Sequence, residues 1–259
     1  MSRIYESSLF DDEQQLEQPT INLDAFDTAT DHWLDDDSWI THIHGLVIGD
    51  DQLMRQLSTL RGWEQRRRWM YDRVVDEPRL THEYRDLTTA PAFLVALASA
   101  FSDYCGVRYD GIWMNWYRDN RDSTSWHADR PANTPATAMV PVLSIGATRR
   151  FLIRPYGGGP STVFTPVGGD VLIMRGRCQR DWQHSVPKQQ KTAKSRMSLN
   201  FSSTEQLGSQ TSTGSGQHIQ NGGRQEQNKK GEWAYRHLLA GPVAAGAGGQ
   251  DPRHASRDE

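Results

Sequence analysis

Cysteine is scarce in this chain of 259 residues, with only Cys105 and Cys178. Neither belongs to a CxxC pair or a zinc-ribbon spacing, which leaves two buried thiols in a reducing compartment as the expected state. Long apolar runs are absent as well. No stretch approaches the roughly 18 consecutive apolar residues of a membrane-spanning helix, so no membrane partner is expected. The first residues are acidic and lack the apolar segment of a secretory signal. A cytosolic location is expected, or a nuclear one in a eukaryote. Hydrophobic residues make up 36% of the chain, a low share for a globular protein. A compact core diluted by polar segments accounts for that, and no internal repeat is present.

Charge is unevenly spread. Residues 1–37 carry 11 acidic side chains against one basic, a net of −10. Residues 38–203 carry 22 Lys and Arg against 15 Asp and Glu, a net of +7, and the stretch from 204 balances. The chain therefore reads as an acidic, disordered arm over 1–37, a body over 38–203 and a Gly-, Gln- and Ser-rich disordered tail over 204–259. Within the tail, residues 233–239 read as one short helix. A basic body suits a polyanionic partner, although an ordinary solvated surface has the same composition. The arm is expected to lie over the body and compete with nucleic acid there.

Within the body, residues 38–48 read as a strand. Residues 50–63 read as a helix, with Leu53, Met54, Leu57 and Leu60 at helical spacing and Asp50 and Asp51 in the first turn. The basic and aromatic run over 65–84 suits a nucleic-acid edge, because bases stack on rings and phosphates pair with Arg. Residues 91–106 read as a helix opened by Pro91 and closed by Gly106. From Asp110 onward the pattern changes to short strands, over 111–118, 138–145, 150–154, 162–164, 170–174, 181–185 and 196–201. Helices followed by about seven close strands predict an α+β fold: a double-stranded β-helix, or jelly roll, with N-terminal helices packed on one side.

One constellation carries chemistry. His127 and Asp129 stand at i and i+2, which on an extended strand points both to one face. His184 can add a third ligand, because a jelly roll brings distant strands together. Two imidazoles and a carboxylate form the facial triad of non-haem Fe(II), with positions open for a co-substrate and oxygen. An HxD alone is weak, since a single His is more often structural. What strengthens it is the order in which Asn115-Trp116-Tyr117 precedes it and His184 and Arg196 follow.

That order, with Trp126-His127-Ala128-Asp129, residues 143–151, residues 169–176, Trp182-x-His184 and residues 196–201, resembles the AlkB family of Fe(II)- and 2-oxoglutarate-dependent dioxygenases. The resemblance runs over about residues 38–203. It implies that His127, Asp129 and His184 hold Fe(II), that Arg196 pairs with the distal carboxylate of 2-oxoglutarate, and that Asn115 and Tyr117 hydrogen-bond this co-substrate. O2 is then consumed, and the co-substrate leaves as succinate and CO2. An N-methyl group that gains a hydroxyl collapses to formaldehyde and free base. The implied substrate is alkylated single- or double-stranded nucleic acid, met by a monomer and repaired by dealkylation. The resemblance places a substrate lid near residues 66–84, which nominates Tyr84, Trp69 and Tyr71 for stacking on a flipped base. Arg79, Arg118, Arg121 and Arg130 are candidates for phosphate contacts. Trp126 reads as core and Asp170 as a turn residue.

Two departures stand out. The family carries a second Arg six residues after the first, where this chain has Ser202. The missing contact is worth about 1.5–3 kcal/mol, and Arg149 or Arg175 could replace it from another strand. Several repair members place a carboxylate two residues after the metal Asp, where this chain has Pro131. Two other readings therefore stand beside dealkylation. One is a same-fold oxygenase that hydroxylates a small molecule or a protein side chain. The other is a non-catalytic jelly roll that binds nucleic acid.

Overall fold

The computed structural model describes residues 18–70, 72–129 and 138–204. Tyr71, Arg130, Pro131, the expected helix over 233–239 and the first 17 residues lie outside them. The strands are β1 (Thr20–Ile21), β2 (Thr30–Trp33), β3 (Ser38–Ile43), β4 (Val47–Ile48), β5 (Arg67–Met70), β6 (Arg73–Asp76), β7 (Leu80–Tyr84) and β8 (Gly111–Tyr117). Then come β9 (Thr124–His127), β10 (Val140–Gly146), β11 (Phe151–Pro155), β12 (Thr162–Phe164), β13 (Val171–Gly176), β14 (Trp182–Val186) and β15 (Arg196–Ser202). The helices are α1 (Asp50–Ser58), α2 (Ala92–Cys105) and α3 (Cys178–Asp181), with a 3-10 turn at Leu23–Thr28.

Two sheets form the jelly roll. The larger has seven strands in the order β2-β3-β13-β10-β15-β8-β7, and the smaller has four in the order β12-β11-β14-β9. The central strands of the large sheet are buried on both faces, and in β13 both parities of the sequence are apolar. Met197, Leu199 and Phe201 of β15 join Val171 and Ile173 of β13 against Leu53 and Leu57 of α1 and Leu94, Leu97 and Phe101 of α2. The alternate residues of β13, Leu172 and Met174, face the small sheet and pack with Phe151, Ile153, Phe164 and Trp182. On β15 the residues of that second face are Arg196, Ser198 and Asn200, all polar. A polar stripe on a strand otherwise committed to apolar packing marks where a site sits between the sheets.

The expected helix over 91–106 has Pro91 and Gly106 as its caps, and Gly106 takes the left-handed conformation (φ 65°) that ends a helix with little strain in glycine. The helix from Asp50 stops at Ser58 rather than 63, and the Trp63 indole donates back to the Leu57 carbonyl at 2.9 Å. The strand expected over 38–48 breaks after Ile43, and β4 pairs with β1 instead. Residues 18–37, read as part of a disordered arm, contain β1, the 3-10 turn and β2. Ala25 is buried, Phe26 stacks on Tyr104 at 4.4 Å, and β2 forms an edge of the large sheet. Acidic side chains on an exposed edge strand disguised this segment as solvated chain. Among the described residues no helix is long and apolar enough to cross a membrane.

Candidate active site

β9 and β14 pair antiparallel with His127 opposite His184. Residues directly opposed across two strands share a face, so 57 positions of sequence separation close to ring centroids 4.2 Å apart. β9 ends at His127, and Asp129 lies beyond the strand, contrary to the expectation that one strand carries both. Its place is set by Gln179 of α3, whose Oε1 accepts the Asp129 backbone N–H at 2.8 Å and whose Nε2 donates to Asp129 Oδ2 at 3.3 Å. Gln179 was not singled out in the sequence, because nothing in its spacing relates it to residue 129. Asp129 Oδ1 stands 3.6 Å from Nε2 of both His127 and His184, and the three ligand atoms lie within 4.8 Å of one another.

The protonation states suit a cation. His184 is buried and stacks on Phe151 at 5.2 Å. Burial lowers its pKa to about 4, so the ring is neutral. Burial acts to raise the Asp129 pKa, but the two imidazoles and Gln179 hold it down at about 2, and the carboxylate is ionised. Burial works against charge on His127 too, yet Asp129 and the Ser125 carbonyl outweigh it and raise its pKa. The Ser125 carbonyl accepts from His127 Nδ1 at 2.9 Å, which leaves Nε2 facing Asp129, where a metal would take the place of the proton that the raised pKa favours.

Beside the triad a small pocket is lined by Asn115, Tyr117, Thr124, Val142, Phe151, Arg196, Ser198 and Asn200. Arg196 is 1% exposed. Its Nη2 donates to Ser144 Oγ at 2.8 Å and its guanidinium lies 5.4 Å from the Tyr117 ring centre, while Nε and Nη1 are buried with no geometric hydrogen bond. Burial lowers its pKa to about 10, which leaves it cationic at neutral pH. A buried cation with unanswered N–H groups is costly unless an anion joins it. A dicarboxylate with one end on Arg196 and the other toward the triad fits this orphaned fork. Asn115 Oδ1 accepts from Arg79 Nε at 2.8 Å and Trp113 Nε1 at 3.1 Å, which turns its amide nitrogen toward Ser198 and the pocket. Tyr117 Oη bonds Thr124 Oγ1 at 2.8 Å. Ser198 and Asn200 complete the polar stripe and were not singled out in the sequence, though they alternate with Arg196 on one strand.

The residues nominated for nucleic acid divide. Trp69, in the β5–β6 ribbon, is 68% exposed. A groove of about 420 Å³ runs from Val75–Arg79 past Ser123–Trp126 to Lys188, and Thr124 also lines the inner pocket. Tyr84 sits on the other face. It pairs with Ile112 and packs toward the helices, while the alternate residues Asn115 and Tyr117 of β8 face the pocket. Arg79 is largely buried, pairs with Glu77 at 2.9 Å and braces Asn115. Arg118 is gripped by both Asp122 oxygens, and exposed Arg121 by Asp119. Trp126 lies under Arg154 at 4.0 Å, half-buried. Neither suggested substitute for Ser202 lines the pocket. Arg149 donates to the carbonyls of Asp119, Asp122 and Pro187, and Arg175 faces Met139, Cys105 and Tyr104.

A sequence profile of the 2OG-Fe(II) oxygenase superfamily matches residues 36–214. The chain belongs to the 2OG-Fe(II) oxygenase superfamily. The cofactor set of this family is Fe(II), 2-oxoglutarate and O2, and the donor set described above suits it. Within the superfamily the chain is similar to proteins named as AlkB homologues. It is 32% identical over 172 residues to the rat alpha-ketoglutarate-dependent dioxygenase alkB homolog 3, covering 58% of each chain. The human protein of that name is 31% identical over 172 residues, covering 58% of this chain and 60% of its own length. The Arabidopsis thaliana DNA oxidative demethylase ALKBH2 is 29% identical over 119 residues, 37% of this chain and 38% of its own. The matched region thus spans about three fifths of the alkB homolog 3 chains.

Proposed function

We propose that this chain is an Fe(II)- and 2-oxoglutarate-dependent dioxygenase that removes N-alkyl groups from the bases of DNA or RNA. The observation that carries the reading is the convergence of His127, Asp129 and His184 beside the half-unpartnered guanidinium of Arg196. His127, Asp129 and His184 would hold the metal, and Arg196, Asn115 and Tyr117 the co-substrate. When bound, iron and 2-oxoglutarate supply oxygen activation, with succinate and CO2 leaving and a hydroxyl delivered to a substrate C–H bond. The protein's own groups position and insulate. Arg196 fixes one carboxylate with a planar fork, and the Asn115 amide adds a donor. Phe151 shields the His184 ring, and Gln179 keeps Asp129 aimed at both imidazoles. Support for a nucleic-acid substrate comes from exposed Trp69 on the β5–β6 ribbon, the net positive body and the names of the relatives.

The test is mass spectrometry of a single-stranded oligonucleotide carrying 1-methyladenine or 3-methylcytosine, incubated with the protein, Fe(II), 2-oxoglutarate and ascorbate. Loss of one methylene mass with matching succinate is the expected result, absent in His127→Ala and Asp129→Ala. Retained activity in either variant would remove the assigned triad. A second reading, hydroxylation of a small molecule or protein side chain, is favoured by the intramolecular pairing of Arg79, Arg118 and Arg121. Succinate formation without demethylation would select it.

A further inference from the structure

A second convergence of metal-ligating groups lies away from the triad. β3 and β13 are neighbours in the large sheet, whereas the triad stands at the end of β9 and on β14 in the small sheet. At the end of β3, His42 Nε2 is 3.1 Å and His44 Nδ1 3.3 Å from the same oxygen, Oδ2 of Asp170. The two imidazole rings have centroids 3.8 Å apart. Asp170 is 2% exposed, His42 is 9% exposed and His44 opens to solvent.

Hydrogen bonding explains only part of this. Asp170 Oδ1 accepts from Gly45 N–H at 3.0 Å, and Oδ2 accepts from Val167 N–H at 3.1 Å. A carboxylate oxygen has two lone-pair sites. With Val167 on one, a single site remains on Oδ2 for two imidazole nitrogens. One imidazole would suffice as a donor. Two protonated rings in contact would repel each other. One cation among the three donors satisfies both rings and the carboxylate together. Metal–ligand bonds of about 2.0–2.2 Å in a tetrahedron put neighbouring donors roughly 3.3–3.6 Å apart. The two carboxylate–imidazole spacings are within a few tenths of an ångström of that, and all three ligand atoms lie within 4.8 Å of one another. The two backbone N–H groups orient the carboxylate as outer-shell partners do.

We propose that His42, His44 and Asp170 form a second metal site, for a divalent transition metal of zinc type, with water on the solvent side. The ion joins the turn after β3 to the segment before β13. That segment exchanges backbone hydrogen bonds with Ser144, Ser144 N–H to the Asp170 carbonyl at 2.9 Å and Gly169 N–H to the Ser144 carbonyl at 2.8 Å. Ser144 is also the residue whose hydroxyl holds Arg196. The site therefore braces the strand that positions the guanidinium.

The test is equilibrium dialysis of the full chain against Zn(II) at neutral pH, with bound metal counted by elemental analysis. The parent chain is expected to hold two equivalents, because the triad also takes zinc. His127→Ala with Asp129→Ala should leave one, with a melting temperature still raised by zinc. Adding His44→Ala at its exposed position should remove that one. The loss in affinity should exceed the roughly 10–100-fold cost of removing an outer-shell partner. His44→Ala alone in the parent should leave one equivalent, which keeps the question answerable if the triad variant does not fold. A second equivalent that survives His44→Ala, or a parent chain that holds one equivalent lost with the triad, overturns the proposal.

Discussion

Arg196 shows how one residue can be costly to the ligand-free fold and useful to the liganded one. Its guanidinium is buried, charged and only partly bonded. Replacing even a paired set of buried charges by apolar side chains of similar volume is often neutral or stabilising by about 1–4 kcal/mol, and an unpaired buried cation is the costlier case. Arg196→Met should therefore melt above the parent in the absence of 2-oxoglutarate, yet lose the parent's further rise when 2-oxoglutarate is added. Its KM for 2-oxoglutarate should climb at least about tenfold, from charge-assisted bonds worth about 1.5–3 kcal/mol each. An unchanged KM would take Arg196 out of the co-substrate site. Arg79 makes a contrasting case, because it braces Asn115. Arg79→Ala should raise the 2-oxoglutarate KM and leave the salt dependence of oligonucleotide binding unchanged; loss of a phosphate contact would instead lower that slope by about one. Cys178 gives a pH prediction. Burial pushes its thiol up to about 12, against about 8.5 in an unfolded chain. Above pH 8.5 the unfolded chain releases this proton and the folded one keeps it, so stability falls as pH rises from about 8.5 toward 12. Urea melts of Cys178→Ala should show a shallower alkaline decline than the parent. The same thiol should resist alkylation at pH 8 until urea is present.

At the scale of elements, strand pairing does the assembling. Gly146 of β10 faces Arg196 of β15. It takes φ +80°, and an added Cβ would lie 2.6 Å from the Ser195 carbonyl oxygen. Gly146→Ala should destabilise by more than about 1 kcal/mol and weaken 2-oxoglutarate binding by moving Arg196, as urea melts and the KM for 2-oxoglutarate would report. Elements bounded by strong punctuation were legible in the sequence. Helix α2 runs between Pro91 and Gly106 as read, and β12 covers the residues expected. All seven strands expected after Asp110 are present within a residue or two at their ends. The short strand β9 was legible only through the chemistry of His127. Gln179 was not legible, because its partnership with Asp129 is a tertiary contact across 50 positions. Tyr84 was misplaced for a simpler reason. Composition gives an aromatic near the site, but the parity of β7 against β8 decides the face, and the register was unknown. Arg118 and Arg121 read as free cations in a linear sequence, and only the turn between β8 and β9 brings Asp122 and Asp119 onto them.

For the whole molecule, the acidic N-terminal region divides into two parts with different consequences. Residues 18–37 carry six carboxylates and no Lys or Arg, and they contain β1, the 3-10 turn and an edge strand. Residues 1–17 carry five carboxylates and Arg3. Deleting 1–37 would strip β2 from β3 and expose a row of unpaired backbone groups on a large sheet, besides removing buried Ala25 and the Phe26–Tyr104 stack. That truncation should lower the melting temperature and promote association, visible by light scattering. It cannot test electrostatic competition cleanly, because the fold changes with the charge. Deleting 1–17 removes a net of −4 and leaves every described element in place. Its melting temperature should match the parent. If the acidic arm competes with nucleic acid for the basic body, this truncation tightens oligonucleotide binding, and the gain shrinks as salt rises because exposed charges are screened beyond about 10 Å at 0.1 M. Fluorescence anisotropy with a single-stranded oligonucleotide at two salt concentrations measures both effects. An affinity equal to the parent's at low salt would mean that residues 1–17 do not compete for the groove, and that any self-inhibition by charge must come from the six carboxylates built into the fold.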